Sequence, residues 1–213
     1  MPAAVIEAKD LAVVLGGYTV FANLDLTVEE GEIVAVVGDI GSGKSTLLRV
    51  LAGQLEIAAG TLTVLGHTVA DDEAYRRDVV LAAGEPYWAK GETVAAYVER
   101  MRMAREPIDG DWPAAADMLK AFEILERGPA EPLTLSQGLR QRLSLAAALS
   151  RPSRLLLIDD PEFGLDTGFR PKLAALLAGY ARRGGTVVLG THDMELSTAT
   201  GARECSLDRT PPG

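Results

Sequence analysis

The sequence predicts an α/β fold with a mostly parallel core sheet, and three observations support that prediction. A continuous apolar run, residues 33–37, is followed directly by the glycine-rich stretch 38–46. A second apolar run begins at Leu155 and ends in two carboxylates, and a third, 186–190, follows a helical pattern. Continuous β-rich runs that alternate with helical patterns are typical of parallel strands buried on both faces.

The other elements are predicted from periodicity and from residues that end helices. Loose apolar and polar alternation at 5–14 and 20–28, on both sides of Gly16-Gly17, predicts an N-terminal antiparallel β subdomain. Further strands are expected at 61–65 and 78–83, with a last strand near the end of the chain. Helical spacing and capping residues predict helices at 44–52, 93–104, 113–122 with Asp111 near its start, 136–150 and 171–183, then a short one. The two middle helices belong to a predicted helical subdomain, roughly residues 85–152.

Composition limits the classes of protein that are possible. A chain of 213 residues with 47% hydrophobic residues can bury one core, so residues 1–213 are expected to form a single domain. The net charge of −9 argues against a broad basic surface, and nucleic acid is not expected as a partner. Cys205 is the only cysteine, which fits a reducing cytoplasm. No export signal and no apolar run of about 18 residues is recognised, so a peripheral protein is expected.

The glycine-rich stretch has the spacing of a phosphate-binding loop: Gly, four residues, then Gly-Lys-Ser. Glycines let successive backbone N–H groups point at phosphate oxygens, and the following helix adds the positive end of its dipole. Lys44 is expected to reach the β- and γ-phosphates of a bound nucleotide, and the Ser45 hydroxyl to ligate Mg²⁺. The residues predicted to bind a nucleotide are Gly38, Gly41, Ser42, Gly43, Lys44, Ser45 and Thr46. The alternative is a glycine-rich turn that binds nothing.

Two carboxylates end the apolar run at 155–159. A carboxylate beside a phosphate loop can hold Mg²⁺ directly or through water, and Asp159 is the candidate. Asp160, the next residue, could polarise an attacking water as a general base. Without the upstream loop, an acidic pair after a strand is more simply interpreted as a solvated turn.

The stretch Leu135-Ser136-Gln137-Gly138 opens the long helix near residue 136. A serine at a helix start, followed by free backbone N–H groups, can form a second anion site or be an ordinary cap. Its place in the chain distinguishes the two: it precedes the acidic pair, which is followed by Gly164-Leu165-Asp166 and then by Thr191-His192-Asp193.

With these ordered motifs the chain resembles the nucleotide-binding subunit of an ATP-binding cassette (ABC) transporter, over about residues 11–208. The resemblance implies a phosphate-loop NTPase fold of the ABC ATPase type. It assigns Ser136 and Gly138 to the signature that contacts ATP in a partner subunit, Asp166 to the D-loop and His192 to the switch histidine. It also implies a second ABC ATPase subunit, in a homodimer or a heterodimer, and transmembrane permease subunits at the cytoplasmic face of the inner membrane.

The chain departs from the family pattern where hydrolysis is controlled. Asp160 stands where the family usually has Glu, one methylene longer, and a misplacement of order 1 Å can cost roughly 10²-fold in rate. Slow hydrolysis is therefore expected, unless a small backbone adjustment restores contact with the water. The signature has Gln137 and Leu139 in place of the usual Gly and Gln.

Two further departures concern the loop after strand 78–83 and the adenine contact. Gly84 takes the position of the family's Gln, and the neighbouring Glu85 could act as a metal ligand or be a solvated loop residue. The resemblance places an aromatic residue for adenine near Leu15, where Tyr18 could substitute or be an ordinary packed or hairpin tyrosine. Trp88 could anchor a membrane partner, although large aromatics usually pack internally.

The preferred function is a transport ATPase subunit, with wording after Gln137 that favours small exporter-type proteins over sugar importers. A non-transport ABC ATPase that controls an assembly is the alternative, because slow hydrolysis would suit a persistent switch. A small-molecule phosphotransferase is disfavoured, since it would not need Ser136 or His192 at these positions. The second histidine, His67, is expected on a surface turn, so no zinc site is predicted.

Overall fold

The structure is a computed structural model that describes residues 4–68, 75, 78–104 and 112–207. The strands are β1 (Ala4–Leu15), β2 (Tyr18–Glu29), β3 (Ile33–Val37), β4 (Ala59–Val64), β5 (His67–Thr68), β6 (Val79–Ala82), β7 (Leu155–Asp159), β8 (Thr186–Thr191) and β9 (Arg203–Ser206). The helices are α1 (Lys44–Leu51), α2 (Val94–Met103), α3 (Ala115–Ala121), α4 (Gln137–Ser150), α5 (Arg170–Arg182) and α6 (Met194–Thr200). Short 3₁₀ turns occupy Leu125–Arg127, Pro132–Thr134 and Thr167–Phe169. The predicted helix start near Asp111 lies outside the described residues.

Two sheets form the framework. The antiparallel sheet has the order β2-β1-β4-β5, and the second sheet has the order β6-β7-β8-β3-β9 with all described pairings parallel. The predicted combination of an antiparallel β subdomain with a parallel core sheet is therefore confirmed. In β3 and β7 the apolar runs are continuous because both faces of the parallel sheet are covered.

Alternate residues of the parallel strands pack into two different apolar clusters. In β7, Leu156 and Ile158 join the cluster that contains α2 to α6, whereas Leu155 and Leu157 join the cluster formed with α1 and the antiparallel sheet. This alternation follows from the period of two of a β-strand. Burying a side chain of this size contributes roughly 1.5–3 kcal/mol to the stability of the fold, so the central strands stabilise the packing on both faces of the sheet.

The middle of the chain forms a helical segment on one face of the parallel sheet. Helices α2 and α3 pack against α4 through buried residues that include Val98, Leu119 and Leu143. Trp88 is buried as well and makes an edge-to-face contact with Tyr97, with a centroid separation of 6.3 Å. The aromatic side chain that is exposed in this loop is Tyr87, at 85%.

Four parallel strands end at the same edge of the sheet and deliver the predicted site residues there. The phosphate loop follows β3, Gly84 and Glu85 come after β6, Asp159 ends β7 and His192 follows β8. Ligands of open parallel sheets bind beyond the carboxyl ends of the strands, so this edge is the expected site. Within the described part of the chain, no helix combines the length and the apolar character that crossing a bilayer would require.

Candidate nucleotide-binding site

The loop between β3 and α1 has the backbone that its glycines predict. Gly43, the residue before α1, has a φ of 103°, a conformation that side-chain-bearing residues rarely adopt. A Cβ at this position would also lie 2.8 Å from Val20 Cγ1, so β2 packs directly against the loop. Glycine is therefore required here by both backbone conformation and space.

Lys44 is folded back over the loop that precedes it. Its Nζ donates hydrogen bonds to the carbonyl oxygens of Gly38 and Asp39 at 2.7 and 2.8 Å. The side chain is buried, with only 7% of the residue exposed. Ser42 Oγ is buried and has no hydrogen-bond partner among the described residues. An ammonium group and an unused buried hydroxyl in one glycine loop fit a phosphate group.

Ser45 and Asp159 are brought together from sequence positions far apart. Ser45 Oγ donates a hydrogen bond to Asp159 Oδ1 at 3.0 Å. Neighbouring oxygens around an octahedral Mg²⁺ with bonds of 2.0–2.1 Å lie roughly 2.9 Å apart, so this pair fits two adjacent magnesium ligands. Thr46 follows in the first turn of α1 and is half-buried.

The surroundings of the Asp159 carboxylate favour the binding of a cation. Burial raises the pKa of the Asp159 carboxyl above its ordinary value, and the neighbouring Asp160 raises it further. The hydrogen bond from Ser45 acts in the opposite direction, as do the more distant charges of Arg49 and Lys44. A desolvated carboxylate of this kind gains more from a bound cation than a solvated one does.

Asp160 and His192, the predicted base and the predicted switch residue, lie side by side. Asp160 Oδ1 is 3.5 Å from His192 Nδ1, and Asp160 N donates to Gly190 O at 2.9 Å. The φ of Asp160 is 42°, in the left-handed region that aspartate tolerates better than most residues. The backbone therefore turns sharply after β7 and brings the carboxyl group beside the end of β8.

Glu162 is a residue of this site that the sequence analysis missed. It is 4% exposed and its Oε1 accepts hydrogen bonds from Thr191 Oγ1 at 2.6 Å and from His192 N at 3.3 Å. The same oxygen lies 3.3 Å from His192 Nδ1. The signal in the sequence is a third carboxylate within four residues, Asp159 to Glu162, but its burial depends on β8.

Glu85 reaches the same edge of the sheet but is paired. It forms an ion pair with Arg140 at 2.5 Å, without the alignment of a hydrogen bond, and Arg140 also donates to Leu135 O at 3.1 Å. Glu85, Asp159 and Asp160 line one cavity of about 350 Å³. The carboxylate of Glu85 is therefore near the candidate metal ligands, and its assignment as a ligand stays a prediction.

The signature residues open α4 and pack against the D-loop of the same chain. Ser136 caps the helix by accepting a hydrogen bond from Leu139 N at 3.4 Å, and its side chain is exposed. A Cβ on Gly138 would lie 2.7 Å from Gly164 O, so a larger residue would displace one of the two backbones. The glycine of the signature is needed for this close approach.

Asp166 is tied to the helix that carries the signature. Arg142 Nη2 donates to Asp166 Oδ2 at 2.5 Å, and Phe169 N donates to Asp166 Oδ1 at 3.0 Å. The bond from Arg142 lowers the pKa of the Asp166 carboxyl. These bonds fix the D-loop backbone and leave the assignment of Asp166 to nucleotide binding a prediction.

Tyr18 begins β2, at the far end of the Gly16-Gly17 turn, and is 80% exposed. The exposed ring is available to a ligand and is not packed internally, and Tyr18 pairs with Leu15 across the turn as a hairpin residue does. Its role against adenine stays a prediction.

A phosphate loop, a hydroxyl and carboxylate pair and a neighbouring histidine at the edge of a parallel sheet define a nucleoside-triphosphate-binding protein. The family profile described as ABC transporter matches residues 21–162. The chain belongs to this family and is an ABC-type ATP-binding protein.

Relatives and solved structures agree. The chain is 38% identical over 196 residues to the hemin import ATP-binding protein HmuV of Nocardia farcinica, covering 89% of this chain and 67% of that one. It is 31% identical to the glutamine transport ATP-binding protein GlnQ of Escherichia coli, covering 96% and 88%.

Among solved structures, an ATP-binding subunit of an ABC transporter superposes with a TM-score of 0.82 at 25% identity, covering 98% of this chain and 89% of that one. The cassette MJ0796, solved as a dimer in a post-hydrolysis state with ADP and Pi, superposes with a TM-score of 0.80 at 25% identity, covering 98% and 97%. The predicted fold of the ABC ATPase type is thereby confirmed.

Proposed function

We propose that this chain binds MgATP, pairs with a second cassette subunit, and hydrolyses ATP to drive transmembrane permease subunits at the cytoplasmic face of a membrane. The observation that carries the proposal is the contact of Ser45 with Asp159 directly below the loop of Lys44. Three different parts of the chain supply the phosphate cradle, the two magnesium ligands and the histidine, and together they match the needs of phosphoryl transfer.

Each residue has a separate part in binding. The ammonium group of Lys44 would exchange its loop carbonyls for phosphate oxygens, and Ser42 Oγ would gain the partner that it lacks. Ser45 and Asp159 would hold the magnesium ion, which neutralises charge on the phosphates. Tyr18, exposed beside the loop that follows β1, would stack on the base.

Dimerisation is supported by what the site leaves uncovered. Ser136 and Gln137 are exposed, and so are the apolar side chains of Ile40 and Phe163, at 87% and 61%. A partner subunit facing the phosphate loop would cover these groups and supply its own Ser136 to the nucleotide. The dimeric state of the MJ0796 cassette supports this arrangement.

Slow turnover is part of the proposal and rests on Asp160. Its carboxylate is one methylene shorter than that of glutamate, which moves the base by about 1 Å. In the assembled complex, Asp160→Glu is expected to raise kcat by roughly 10-fold to 100-fold. Equal rates for the parent and Asp160→Glu would contradict the assignment of Asp160 as the limiting base.

The dimer is tested with the purified chain. Asp160→Asn should slow hydrolysis and accumulate an ATP-dependent dimer, measured by light scattering with and without MgATP. Ser136→Arg is the matched control, because it should abolish the dimer while ATP still binds, whereas Lys44→Ala should abolish both. A monomer under all conditions would refute the homodimer and leave a heterodimer to be sought in membranes.

The permease is tested by affinity isolation from gently solubilised native membranes with MgATP, followed by mass spectrometry. A polytopic membrane protein in stoichiometric amount would support transport, and Tyr87→Ala should reduce its recovery because Tyr87 is the exposed aromatic of the loop after β6. Recovery of the chain only from the soluble fraction would favour an ATP-controlled assembly switch instead.

The direction of transport is a finer question. The sequence alone favours an exporter-type protein, whereas HmuV and the relative UgpC of Paracoccus denitrificans are named as import ATP-binding proteins. Uptake is therefore the better supported direction. Reconstitution of the isolated complex in vesicles, with ATP on one side, would distinguish the two.

A further inference from the structure

Glu162 is a buried carboxylate whose position needs a physical explanation. It lies two residues after Asp160 and is 4% exposed, and its Oε2 has no hydrogen-bond partner among the described residues. Burying an ionised carboxylate costs free energy unless hydrogen bonds compensate for the loss of water. Its Oε1 has two such bonds, from Thr191 Oγ1 and His192 N, which tie the residue to the end of β8.

The imidazole of His192 is placed against this carboxylate. Nδ1 lies 3.3 Å from Glu162 Oε1 and 3.5 Å from Asp160 Oδ1, at ion-pair distance but without the alignment of a hydrogen bond, and 54% of the side chain is exposed. In a neutral imidazole one nitrogen carries a proton and the other a lone pair. A nitrogen that faces two acidic oxygens is favoured as the one that carries the proton, because a lone pair there would face other lone pairs.

We propose that Glu162 is a positioning residue that holds His192 as the Nδ1–H tautomer. The negative charge of Glu162 beside Nδ1 then keeps the proton on that nitrogen, and Nε2 keeps the lone pair. Nε2 can accept a hydrogen bond from water or, once protonated, donate one to an anionic oxygen. This inference rests on the proposed function only for its catalytic consequence, because the tautomer is a property of the chain without nucleotide.

A purely structural role makes a different prediction. If Glu162 only anchored the end of β8, its bonds to Thr191 Oγ1 and His192 N would suffice and the ring would have no preferred tautomer. Glu162→Gln separates the two roles, since its amide oxygen can still accept from Thr191 and from His192 N while the negative charge is lost. Thr191→Val is the complementary variant, because it removes an anchoring bond and keeps the carboxylate.

The tautomer is measured by ¹⁵N–¹H NMR of histidine-labelled chain without nucleotide or metal, in mildly alkaline buffer. The sequence has two histidines, and His67 is exposed on β5, so it is an internal reference. His192 in the parent is expected to be mainly Nδ1–H and His67 mainly Nε2–H. A parent spectrum in which His192 is mainly Nε2–H would overturn the proposal without any variant.

In Glu162→Gln the Nδ1–H fraction of His192 should fall toward that of His67, whereas Thr191→Val and the exposed control Glu195→Gln should leave it unchanged. An unchanged fraction in Glu162→Gln, or an equal fall in Thr191→Val, would overturn the proposal. In the assembled complex, Glu162→Gln should lower kcat about 10-fold or more with ATP affinity within about 2-fold. Loss of ATP affinity with unchanged kcat would also overturn it.

The two levels of failure can be told apart. A parent complex that hydrolyses no ATP but has His192 as the Nδ1–H tautomer would refute the proposed function and support the positioning role. Hydrolysis in the parent with His192 as the Nε2–H tautomer would do the reverse.

Discussion

The variant Asp159→Asn should be more stable than the parent chain without nucleotide and less stable than the parent chain in the presence of MgATP. Asn is nearly isosteric and its Oδ1 can still accept the hydrogen bond that Ser45 donates at 3.0 Å. What the variant loses is a negative charge that burial penalises, since burial raises the pKa of the Asp159 carboxyl and Asp160 adds to the effect. The same charge is the proposed attraction for magnesium.

The magnitudes can be bounded. Stabilising exchanges of this size commonly yield about 0.5–2 kcal/mol. For a chain of roughly 150–250 residues each kcal/mol raises Tm by about 2–4 °C. In the parent, MgATP at about 100 times its Kd adds roughly 2.7 kcal/mol, or about 5–11 °C. Most of the magnesium-dependent part of that gain should be missing in Asp159→Asn.

The assay is thermal unfolding with chelator, with ATP plus chelator, and with MgATP. The expected result is a reversal of order: the variant is more stable with chelator and the parent more stable with MgATP. Asp78→Asn, a change at a half-buried carboxylate far from the loop, is the control and should produce no reversal. A variant that is less stable than the parent with chelator, or that keeps the full magnesium-dependent shift, would refute the reasoning.

The pH dependence has a definite sign. When a carboxyl group has a raised pKa in the folded state, the free energy of unfolding of the protein falls as the pH rises from the ordinary pKa of ~3.9 through the raised value. The advantage of Asp159→Asn over the parent should therefore be full at neutral pH and should shrink as the pH falls toward 4. An advantage that grew on acidification would show that another group is responsible.

Two further predictions concern packing. Gly138→Ala should lower kcat at least 10-fold and destabilise the chain by about 1–3 kcal/mol, because its Cβ would lie 2.7 Å from Gly164 O. Steady-state kinetics and urea unfolding test this prediction. An unchanged kcat would show that the loop of Gly164 moves aside without a loss of activity. Trp88→Ala should cost about 3–5 kcal/mol and Tyr87→Ala less than about 0.5 kcal/mol, because the first ring is buried and the second is 85% exposed; equal costs in urea unfolding would contradict this.

Much of the fold could be predicted because its strongest signals are local. The strands at 33–37 and 155–159 have the predicted bounds, since a strand covered on both faces is a continuous apolar run with turn residues at its ends. The antiparallel strands β1 and β2 extend one or two residues beyond the predicted ranges 5–14 and 20–28, because the pairing continues at both ends through Ala4 with Glu29 and Leu15 with Tyr18. Strand β5, which includes His67, was not predicted, because two residues are too few for a period.

The site was predictable only in part, for a different reason. The phosphate loop and Asp159 belong to short motifs that specify their own backbone, and the structure brings Ser45 and Asp159 into contact. The burial of Glu162 is decided by Thr191, which lies 29 residues away, and the pairing of Glu85 by Arg140 on α4. A carboxylate that will be buried looks the same in a sequence as one that will be solvated.

The two carboxylates beside His192 are not equivalent, and the difference bears on the shortened Asp160. The Nδ1–H group of His192 can be directed at only one of the two carboxylates at a time. Glu162 is buried and also accepts a hydrogen bond from the backbone N–H of His192, whereas the side chain of Asp160 is 44% exposed. On the inference that Glu162 is the carboxylate that keeps the proton on Nδ1, Asp160 is left free to face water. The shorter side chain of Asp160 then lies farther from the attacking water, but the orientation of His192 does not depend on it.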